Sequence, residues 1–449
     1  MYDPEVLNEA TRRFILAHRT EDVRQLALQG ARLPEVDLHE ALVQIAGWQQ
    51  ARLKLPQWAA TQGLRYPPHL PMEQCSSQLT ALYKRGIIAR TRRLEELASA
   101  PPADVPLHLP EGAPQAVRAE DDAPQAWGTL TDLTGGLGID CAYLARCFRH
   151  TTYVERQEQL CRLAEHNFPL LGLKEVDICC GDGVKHLQEM EPVDWIYLDP
   201  ARRSASGGKV VAIGDGEPNV AQLEPLLMQK AHHVLVKLSP MLDLTLALQE
   251  LKHVEAAYIV AADGECKELL LLLGHRPASR PEVVPITCVH LRSSKSANQL
   301  NLSHRTTADE LTFSKAEEQQ APPQLADVPQ DYLYEPHAAL LKAGAFNLLT
   351  QRYPVKKLHP NSHLYTSAEP LLTFPGRRFR ITGWSGFGKK ELKQLTNGLK
   401  QANLTVRNFP LTPDALRRKL KLTDGGQVTL FATTLQGEKH ILIKTEPLS

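Results

Sequence analysis

The first hundred residues of the chain carry apolar side chains at every third or fourth position, with charged residues between them. This spacing is typical of amphipathic helices, and it predicts helices within 4–18, 37–55 and 76–97. Residues 100–126 are rich in proline and alanine and have no periodicity. We therefore expect a linker or a long surface loop at 100–126.

From residue 128 the pattern changes to short apolar strands that alternate with amphipathic helices. Strands are predicted at 129–133, 151–155, 175–182, 194–199 and 232–239, with a terminal hairpin at 255–262 and 266–273. Alternating strands and helices form parallel sheets with right-handed crossovers, and the hairpin predicts an antiparallel strand that completes the sheet. Ligands bind beyond the carboxyl ends of such strands, so the candidates for chemistry stand there.

The end of the chain has a different order of elements. A second polar, proline-containing segment (315–331) precedes a β-α-β-α-β-β pattern that begins at 378–382. We divide the chain into four regions, a helical domain at 1–117, an α/β sheet domain at 118–276, a small segment with linker at 277–330, and an α+β region at 331–449.

Composition narrows the class of protein. A chain of 449 residues with 43% hydrophobic and 23% charged residues and no net charge is typical of a soluble protein of several domains. Eight cysteines without a C-x-x-C pair indicate reduced, buried thiols. The chain shows no apolar signal core, no apolar stretch of 18 residues and no close Cys/His set, so we expect a cytoplasmic protein without membrane segment or metal.

The loop after the first predicted strand, "DLTGGLGID", combines an acid with several glycines. Gly135, Gly136 and Gly138 allow the backbone to approach a ligand closely, and Asp132 precedes them at the strand end. Cys141 stands where a dinucleotide-binding fingerprint requires its third glycine, so that type of site is disfavoured. An acid before the glycines suits a ligand with a positive group instead.

Acids also end the next three predicted strands, at Glu155, Asp182 and Asp199. A carboxylate at Glu155 is placed to accept both hydroxyl protons of a ribose, and Asp182 in "CCGDG" could accept from an adenine amine. As an ordered set with Asp132, these strand ends resemble the class I S-adenosylmethionine-dependent methyltransferases over roughly residues 125–275.

That resemblance implies a Rossmann-like, seven-stranded sheet with an antiparallel last strand, and S-adenosyl-L-methionine as the cofactor. It also implies the cofactor-binding residues, which are Asp132, Thr134, Gly135, Gly136 and Gly138 for the methionine part, Glu155 for the ribose and Asp182 for the adenine.

The motif D-P-A-R at 199–202 stands where methyltransferases of exocyclic amines carry D/N/S-P-P-aromatic, and it also looks like the motif of RNA uracil-5 methyltransferases. Uracil-5 chemistry needs a cysteine nucleophile at the end of the next strand, where this chain has Leu238, so we disfavour it. Direct transfer to a nitrogen or oxygen remains. The candidate catalytic residues are Asp199, Pro200, Arg202 and Lys237.

Basic residues concentrate near the C-terminus, where twelve lysines and arginines face three acids between residues 374 and 424. Such a face is expected to contact phosphates. "GWSGFGKK" (383–390) mimics a Walker A loop but ends in lysine where a hydroxyl is required, so we interpret it as a helix start that contacts RNA phosphates. The candidate RNA contacts are Arg377, Arg378, Lys389, Lys390, Arg417, Arg418 and Lys419.

Nearly the whole chain is similar to a family of uncharacterised RNA methyltransferases from Bacteroidetes-type genomes. The motifs "EQCSSQLTALYK", "LDPARR", "GECKELL" and "YLYEPHAALLKAGAF" carry this similarity. It implies a THUMP-like RNA-binding region at 331–449 and a ferredoxin-like segment within 277–330. We predict methylation of RNA at a base nitrogen. The alternatives are an RNA-binding protein without turnover and a methyltransferase of proteins or small molecules.

Overall fold

A computed structural model of the chain describes residues 7–29, 34–68, 72, 74–99, 127–202, 213–292 and 307–448. The predicted linker at 100–126 lies outside these residues. The chain forms two compact units. The first comprises Met1–Glu255, Leu269–Pro277 and Leu291–Ala308, and the second comprises Ala256–Glu268, Ala278–His290 and Asp309–Ser449.

Helices form the N-terminal part of the first unit, as the apolar spacing predicts. They are α1 (Glu9–His18), α2 (Val23–Gln29), α3 (Leu38–Lys54), α4 (Pro56–Ala60) and α5 (Gln78–Ser99). Asn8 and Asp37 begin α1 and α3 as side-chain caps, since each accepts a hydrogen bond from a backbone N–H of the first turn.

The N-terminal helices share one hydrophobic core with the sheet that follows. Trp58 belongs to the same buried cluster as Tyr153 and Phe168, which lie on a strand and a helix of the sheet region. The side-chain amide of Asn167 also bonds the backbone N–H and C=O of Arg65, both at 2.9 Å. The helical region is therefore continuous with the sheet unit and is not a separate body that ends at residue 117.

A mixed sheet of nine strands follows, in the order β11-β10-β8-β9-β7-β4-β1-β2-β3. The strands to this point of the chain are β1 (Trp127–Asp132), β2 (Phe148–Glu155), β3 (Val176–Cys180), β4 (Val193–Leu198), β5 (Ala201–Arg202), β6 (Gly216–Glu217), β7 (Ala231–Leu238), β8 (Val254–Ala262), β9 (Glu265–Gly274), β10 (Ile286–Arg292) and β11 (Thr307–Phe313). Strands β5 and β6 form a separate antiparallel pair.

The predicted parallel strands and the antiparallel strand of the hairpin are confirmed, and the sheet is wider than the sequence predicted. Strands β1, β2, β3, β4 and β7 pair in parallel, and β9 runs antiparallel beside β7. The hairpin β8–β9 supplies the predicted last strands, and the apolar run Leu269–Leu273 is buried. Strands β10 and β11, from the region assigned to a separate small segment, extend the sheet from seven strands to nine.

Helices connect these strands, and most begin directly after a strand end. They are α6 (Ile139–Leu144), α7 (Glu158–Leu170), α8 (Gly183–Glu189), α9 (Val220–Lys230) and α10 (Leu244–Glu250). The short turns between the parallel strands and these helices bring the predicted strand-end residues to one edge of the sheet.

The second unit contains a seven-stranded sheet in the order β13-β14-β12-β15-β18-β17-β16. Its strands are β12 (Tyr332–Pro336), β13 (Lys356–Lys357), β14 (Tyr365–Ser367), β15 (Gly376–Gly386), β16 (Asn403–Val406), β17 (Thr429–Leu435) and β18 (Lys439–Pro447). Its helices are α11 (Lys315–Gln320), α12 (Ala338–Ala343), α13 (Leu349–Arg352), α14 (Lys389–Leu395) and α15 (Pro413–Leu420). From β15 onward the predicted β-α-β-α-β-β order is confirmed.

Within the residues that the structure describes, none of the helices has both the length and the apolar character needed to cross a membrane.

Candidate active site

The glycine loop between β1 and α6 is closely packed at Gly135 and Gly138, where an added Cβ would clash with aromatic rings. Gly135 donates its N–H to the Val154 carbonyl at 2.8 Å, and a Cβ there would lie 2.1 Å from the Tyr153 ring. Gly138 has a φ of 78°, a conformation that favours glycine. The loop therefore presents backbone rather than side chains at the sheet edge.

Asp132, at the end of β1, is 1% exposed and only partly bonded. Its Oδ1 accepts the Thr134 N–H at 3.1 Å, whereas its Oδ2 is buried without a hydrogen-bond partner among the described residues. Burial, together with the neighbouring acids Asp140, Asp199 and Glu155, raises the pKa of the Asp132 carboxyl well above its usual range. A positively charged ligand group beside Oδ2 would remove this imbalance.

Glu155 at the end of β2 holds the glycine loop in place. Its Oε2 accepts the Gly136 N–H at 2.8 Å and its Oε1 accepts the Gln157 N–H at 2.8 Å. A carboxylate oxygen can accept two hydrogen bonds, so both oxygens retain acceptor capacity for ligand hydroxyls.

Asp182 caps α8 directly after β3. Its Oδ1 accepts the Lys185 N–H at 2.9 Å, and the side chain is exposed. The neighbouring Gly183 has no room for a side chain, because a Cβ would lie 2.2 Å from the Leu133 carbonyl oxygen. The segment after β3 is thus packed against the glycine loop, and one carboxylate oxygen of Asp182 caps α8.

Asp199, directly after β4, is tied to the same loop and to the end of β7. Its N–H donates to the Thr134 hydroxyl at 2.6 Å, and its half-buried carboxylate forms an ion pair with Lys237. Burial raises the pKa of the Asp199 carboxyl, although the Lys237 charge opposes this effect. Pro200 follows and leads into β5, while the side chain of the predicted Arg202 lies outside the described part of the structure.

Behind this pair lie residues that the sequence pattern did not single out. Asp140 in the first turn of α6 accepts from the Ser76 hydroxyl at 2.7 Å and from the Tyr197 hydroxyl at 2.7 Å. Lys84 of α5 is completely buried, and its Nζ lies 3.1 Å from Asp140 Oδ1. In the sequence, the sign of this cluster is a lysine within the apolar run "ALYKRGII". That pattern does not indicate which residue the lysine contacts.

The predicted RNA-binding residues lie in the second unit and differ in availability. Arg377 pairs with the buried Glu335, which also lies 2.8 Å from Arg407. Arg417 lies 2.5 Å from Asp424, so its charge is already partnered. Of the other predicted residues, Lys389, Lys390, Arg418 and Lys419 are exposed, and Arg378 is half-buried.

The glycine-rich turn before α14 is closed by an acid, and a phosphate contact of "GWSGFGKK" stays a prediction. Gly388 donates its N–H to Glu391 Oε2 at 3.1 Å, and a Cβ on Gly386 would meet the same carboxylate at 2.7 Å. The Glu391 carboxylate therefore accepts one of the N–H groups at the start of α14. Lys419 lies over the Phe387 ring of this turn, with its Nζ 4.4 Å from the ring centroid.

Among the residues that the structure describes, no group of three or more histidine, cysteine, aspartate or glutamate side chains could hold a metal ion.

Three family profiles match successive parts of the chain. Residues 128–206 match the protein-L-isoaspartate(D-aspartate) O-methyltransferase family, residues 332–375 match a ferredoxin-like domain, and residues 376–447 match a THUMP domain-like family. The ferredoxin-like match begins after the 277–330 segment to which we assigned it, and β10 and β11 of that segment belong to the large sheet instead.

Solved and curated proteins are similar to larger parts of the chain. A crystal structure of a candidate methyltransferase from Porphyromonas gingivalis W83 is 33% identical, covers 99% of this chain and 100% of its own, and superposes with a TM-score of 0.77. Uncharacterized S-adenosylmethionine-dependent methyltransferases from two strains of Mycobacterium tuberculosis are 25% identical over 309 residues, which is 68% of this chain and 76% of theirs.

Proposed function

The chain belongs to the same methyltransferase family as the Porphyromonas gingivalis protein, and from this premise we propose that it methylates RNA at a base nitrogen. One observation carries the methyltransferase part of the proposal. The glycine loop is bonded to the ends of two other strands, through Gly135 and Gly136 to Val154 and Glu155 of β2, and through Thr134 to Asp199 after β4. The acids needed for cofactor and acceptor thus surround one backbone loop.

The cofactor is S-adenosyl-L-methionine, and the described residues fit it. The buried Asp132 Oδ2 lacks a partner in the described structure, which suits the positively charged amino group of the methionine part. When bound, this cofactor supplies an electrophilic methyl group on a positively charged sulfur. In our proposal the glycine loop binds the methionine part, both Glu155 oxygens accept from the ribose hydroxyls, and the Asp182 region accepts from the adenine amine.

Asp199 and Pro200 would hold the accepting nitrogen. An ionised Asp199 can accept a hydrogen bond from an amine on a base and so fix the direction of its lone pair. Lys237, paired with Asp199, favours that ionised state. Strand β7 ends at the buried Leu238, so no thiol stands there to form a covalent intermediate, which favours direct transfer.

The second unit supports RNA as the substrate. Its THUMP-like match and its excess of nine positive charges between residues 374 and 424 are typical of a surface that contacts phosphates. The exposed residues Lys389, Lys390, Arg418 and Lys419 are the proposed contacts.

Methyl transfer from tritium-labelled S-adenosylmethionine to RNA from a deletion strain tests the proposal. Wild-type protein should label that RNA, and Asp199→Ala should lower the rate by at least about 100-fold because the acceptor is no longer oriented. The dissociation constant of the cofactor should stay within about threefold, since Asp199 contacts the acceptor side.

Glu189→Ala provides the matched control, because Glu189 is an exposed acid of α8 that forms an ion pair with the exposed Lys185, at 4.0 Å. It should methylate RNA like the wild type. Label that appears only in protein or small molecules would overturn RNA as the substrate, and an unchanged rate in Asp199→Ala would overturn the site.

A further inference from the structure

A row of alternating charges runs behind the proposed acceptor site. It begins at Lys84 of α5, continues through Asp140 of α6 and Lys237 of β7, and ends at Asp199. The Nζ atoms of Lys84 and Lys237 lie 3.1 Å and 3.9 Å from the two oxygens of Asp140. Only Asp199 has a substantially exposed side chain, at 37%.

Asp140 is the branch point of this row. It accepts hydrogen bonds from Ser76 and Tyr197, and Lys84 also donates to the Ser76 hydroxyl at 3.1 Å. Burial alone would raise the pKa of the Asp140 carboxyl, but the charges of Lys84 and Lys237 hold it below its usual range. The row therefore holds two buried cations and two carboxylates with balanced charge.

Lys237 lies between two carboxylates that compete for it. At present it pairs with Asp199 and is farther from Asp140, whose charge Lys84 already neutralises. Without Lys84, Asp140 would be a buried anion with Lys237 as its nearest cation, and a buried charge is strongly unfavourable without a partner. Lys237 would then shift toward Asp140 and leave Asp199.

We propose that Lys84 is a positioning residue of the methyl-transfer site, which keeps Lys237 on Asp199 by neutralising Asp140. This inference rests on the proposed function for its catalytic meaning. It assigns a role to the N-terminal helical region, in which Lys84 of α5 and Ser76, just before α5, lie behind the proposed site.

The proposal predicts how the pH dependence changes. Among the residues that the structure describes, the charged groups that act on Asp199 are Lys237, Asp140, Lys84 and Asp132. When Lys84→Met draws Lys237 away, Asp199 loses its cation, its pKa rises, and the ionised form is lost at higher pH. The acidic limb of the profile of kcat against pH should therefore move to higher pH by about one unit. At pH values on the acidic side of the limb, kcat should fall about tenfold.

Two further variants separate charge balance from packing. Lys84→Arg keeps the charge and should retain most of the wild-type profile. The double variant Lys84→Met with Asp140→Asn removes both charges, so Asp140 no longer competes for Lys237 and the profile should return to that of the wild type. An upward shift of about one pH unit in the double variant would overturn the proposal, and this outcome can be measured even if Lys84→Met fails to fold.

A measurement without substrate distinguishes this inference from the proposed function. Carboxyl ¹³C NMR of aspartate-labelled full-length protein, with Asp199→Asn for assignment, should show Asp199 titrating at higher pH in Lys84→Met. Lys357→Met is the matched control, because Lys357 is a buried lysine of the second unit, and it should leave this titration unchanged. An unchanged titration in Lys84→Met overturns the inference, whereas a shift without any RNA methylation overturns the proposed function alone.

Discussion

At the scale of single residues, Asp132 shows how the site favours ligand binding over stability. Its buried Oδ2 has no partner in the described structure, and its pKa is raised by burial. The folded protein therefore binds a proton on Asp132 more tightly than the unfolded chain does. Between the usual aspartate pKa of about 3.9 and the raised folded value, the free energy of unfolding falls as pH rises.

Asp132→Asn should remove this penalty and weaken cofactor binding. Asparagine keeps an oxygen for the Thr134 N–H but does not ionise, so the variant should gain stability over wild type as pH rises, by about 1–3 kcal/mol at pH 8. Affinity for S-adenosylmethionine should fall about tenfold or more, because the charge pair is lost. Urea denaturation from pH 5 to 8 and calorimetric binding measure both effects.

Asp263→Asn is the control for that experiment. Asp263 is an exposed turn residue with a φ of 54°, which asparagine also tolerates. The free energy of unfolding of Asp263→Asn should depend on pH in the same way as that of the wild type. Parallel curves for Asp132→Asn and wild type would contradict the expected penalty.

At the scale of elements, the glycine loop joins strand ends that are distant in sequence. The Tyr153 hydroxyl of β2 donates to the Gly136 carbonyl at 2.6 Å, and Gly135 lies against the same ring. Because loop and ring are in contact, the position of the loop depends on the packing of β2. The backbone that would face the cofactor is thus fixed by the core.

Gly135→Ala should disturb both the core and the site. The added Cβ would lie 2.1 Å from the Tyr153 ring, so the ring or the loop must move. We expect a loss of about 1–3 kcal/mol in the free energy of unfolding, as for other overpacked sites, and at least tenfold weaker cofactor binding. Denaturation and calorimetry would measure these changes.

Gly86→Ala is the matched change in α5, where no atom lies within 4 Å of the added Cβ. Alanine favours helices, so the free energy of unfolding of this variant should rise by about 0.5–1 kcal/mol. Its affinity for the cofactor should equal that of the wild type. Equal effects of the two substitutions would refute the importance of the close contact.

At the scale of the whole molecule, each unit carries its own part of the proposed function. The first contains the glycine loop and the strand-end acids, and the second contains the THUMP-like match and most of the basic residues we assign to RNA. Strands β15 and β18 of the second sheet are neighbours of β12 and β17, so a truncation at residue 370 would break that sheet. Substitutions of charged residues test RNA binding while leaving this sheet intact.

Replacing Lys389, Lys390 and Arg418 together by glutamine should weaken RNA binding and its dependence on salt. Each lost phosphate contact lowers the slope of log K against log salt by about 0.7–0.9, so the slope should fall by about 2–3. Filter binding between 50 and 300 mM salt measures this effect. Cofactor affinity should not change.

The same number of charges can be removed elsewhere as a control. Arg12, Arg13 and Arg24 are exposed residues of α1 and α2, and their replacement by glutamine should leave the salt slope unchanged. An equal loss in both triple variants would show that only net charge matters for RNA binding.

Much of the fold and of the proposed site follows from local patterns. Three- and four-residue spacing defined the N-terminal helices, and apolar runs that end in Asp132, Glu155, Asp182 and Asp199 defined the strands and their ends. These features depend on residues that are close in the chain, because periodicity and turn glycines act locally. The roles assigned to the four acids stay predictions.

The partners of these residues depend on contacts between distant parts of the chain. Lys84, Asp140 and Lys237 lie more than fifty residues apart in sequence, yet their charges form one row. Likewise, β10 and β11 joined the large sheet, and Glu391 closed the turn that we had interpreted as a phosphate contact. The sequence by itself determined which residues stand at strand ends, whereas only the folded chain decided which charges neutralise one another, since that depends on burial and distance.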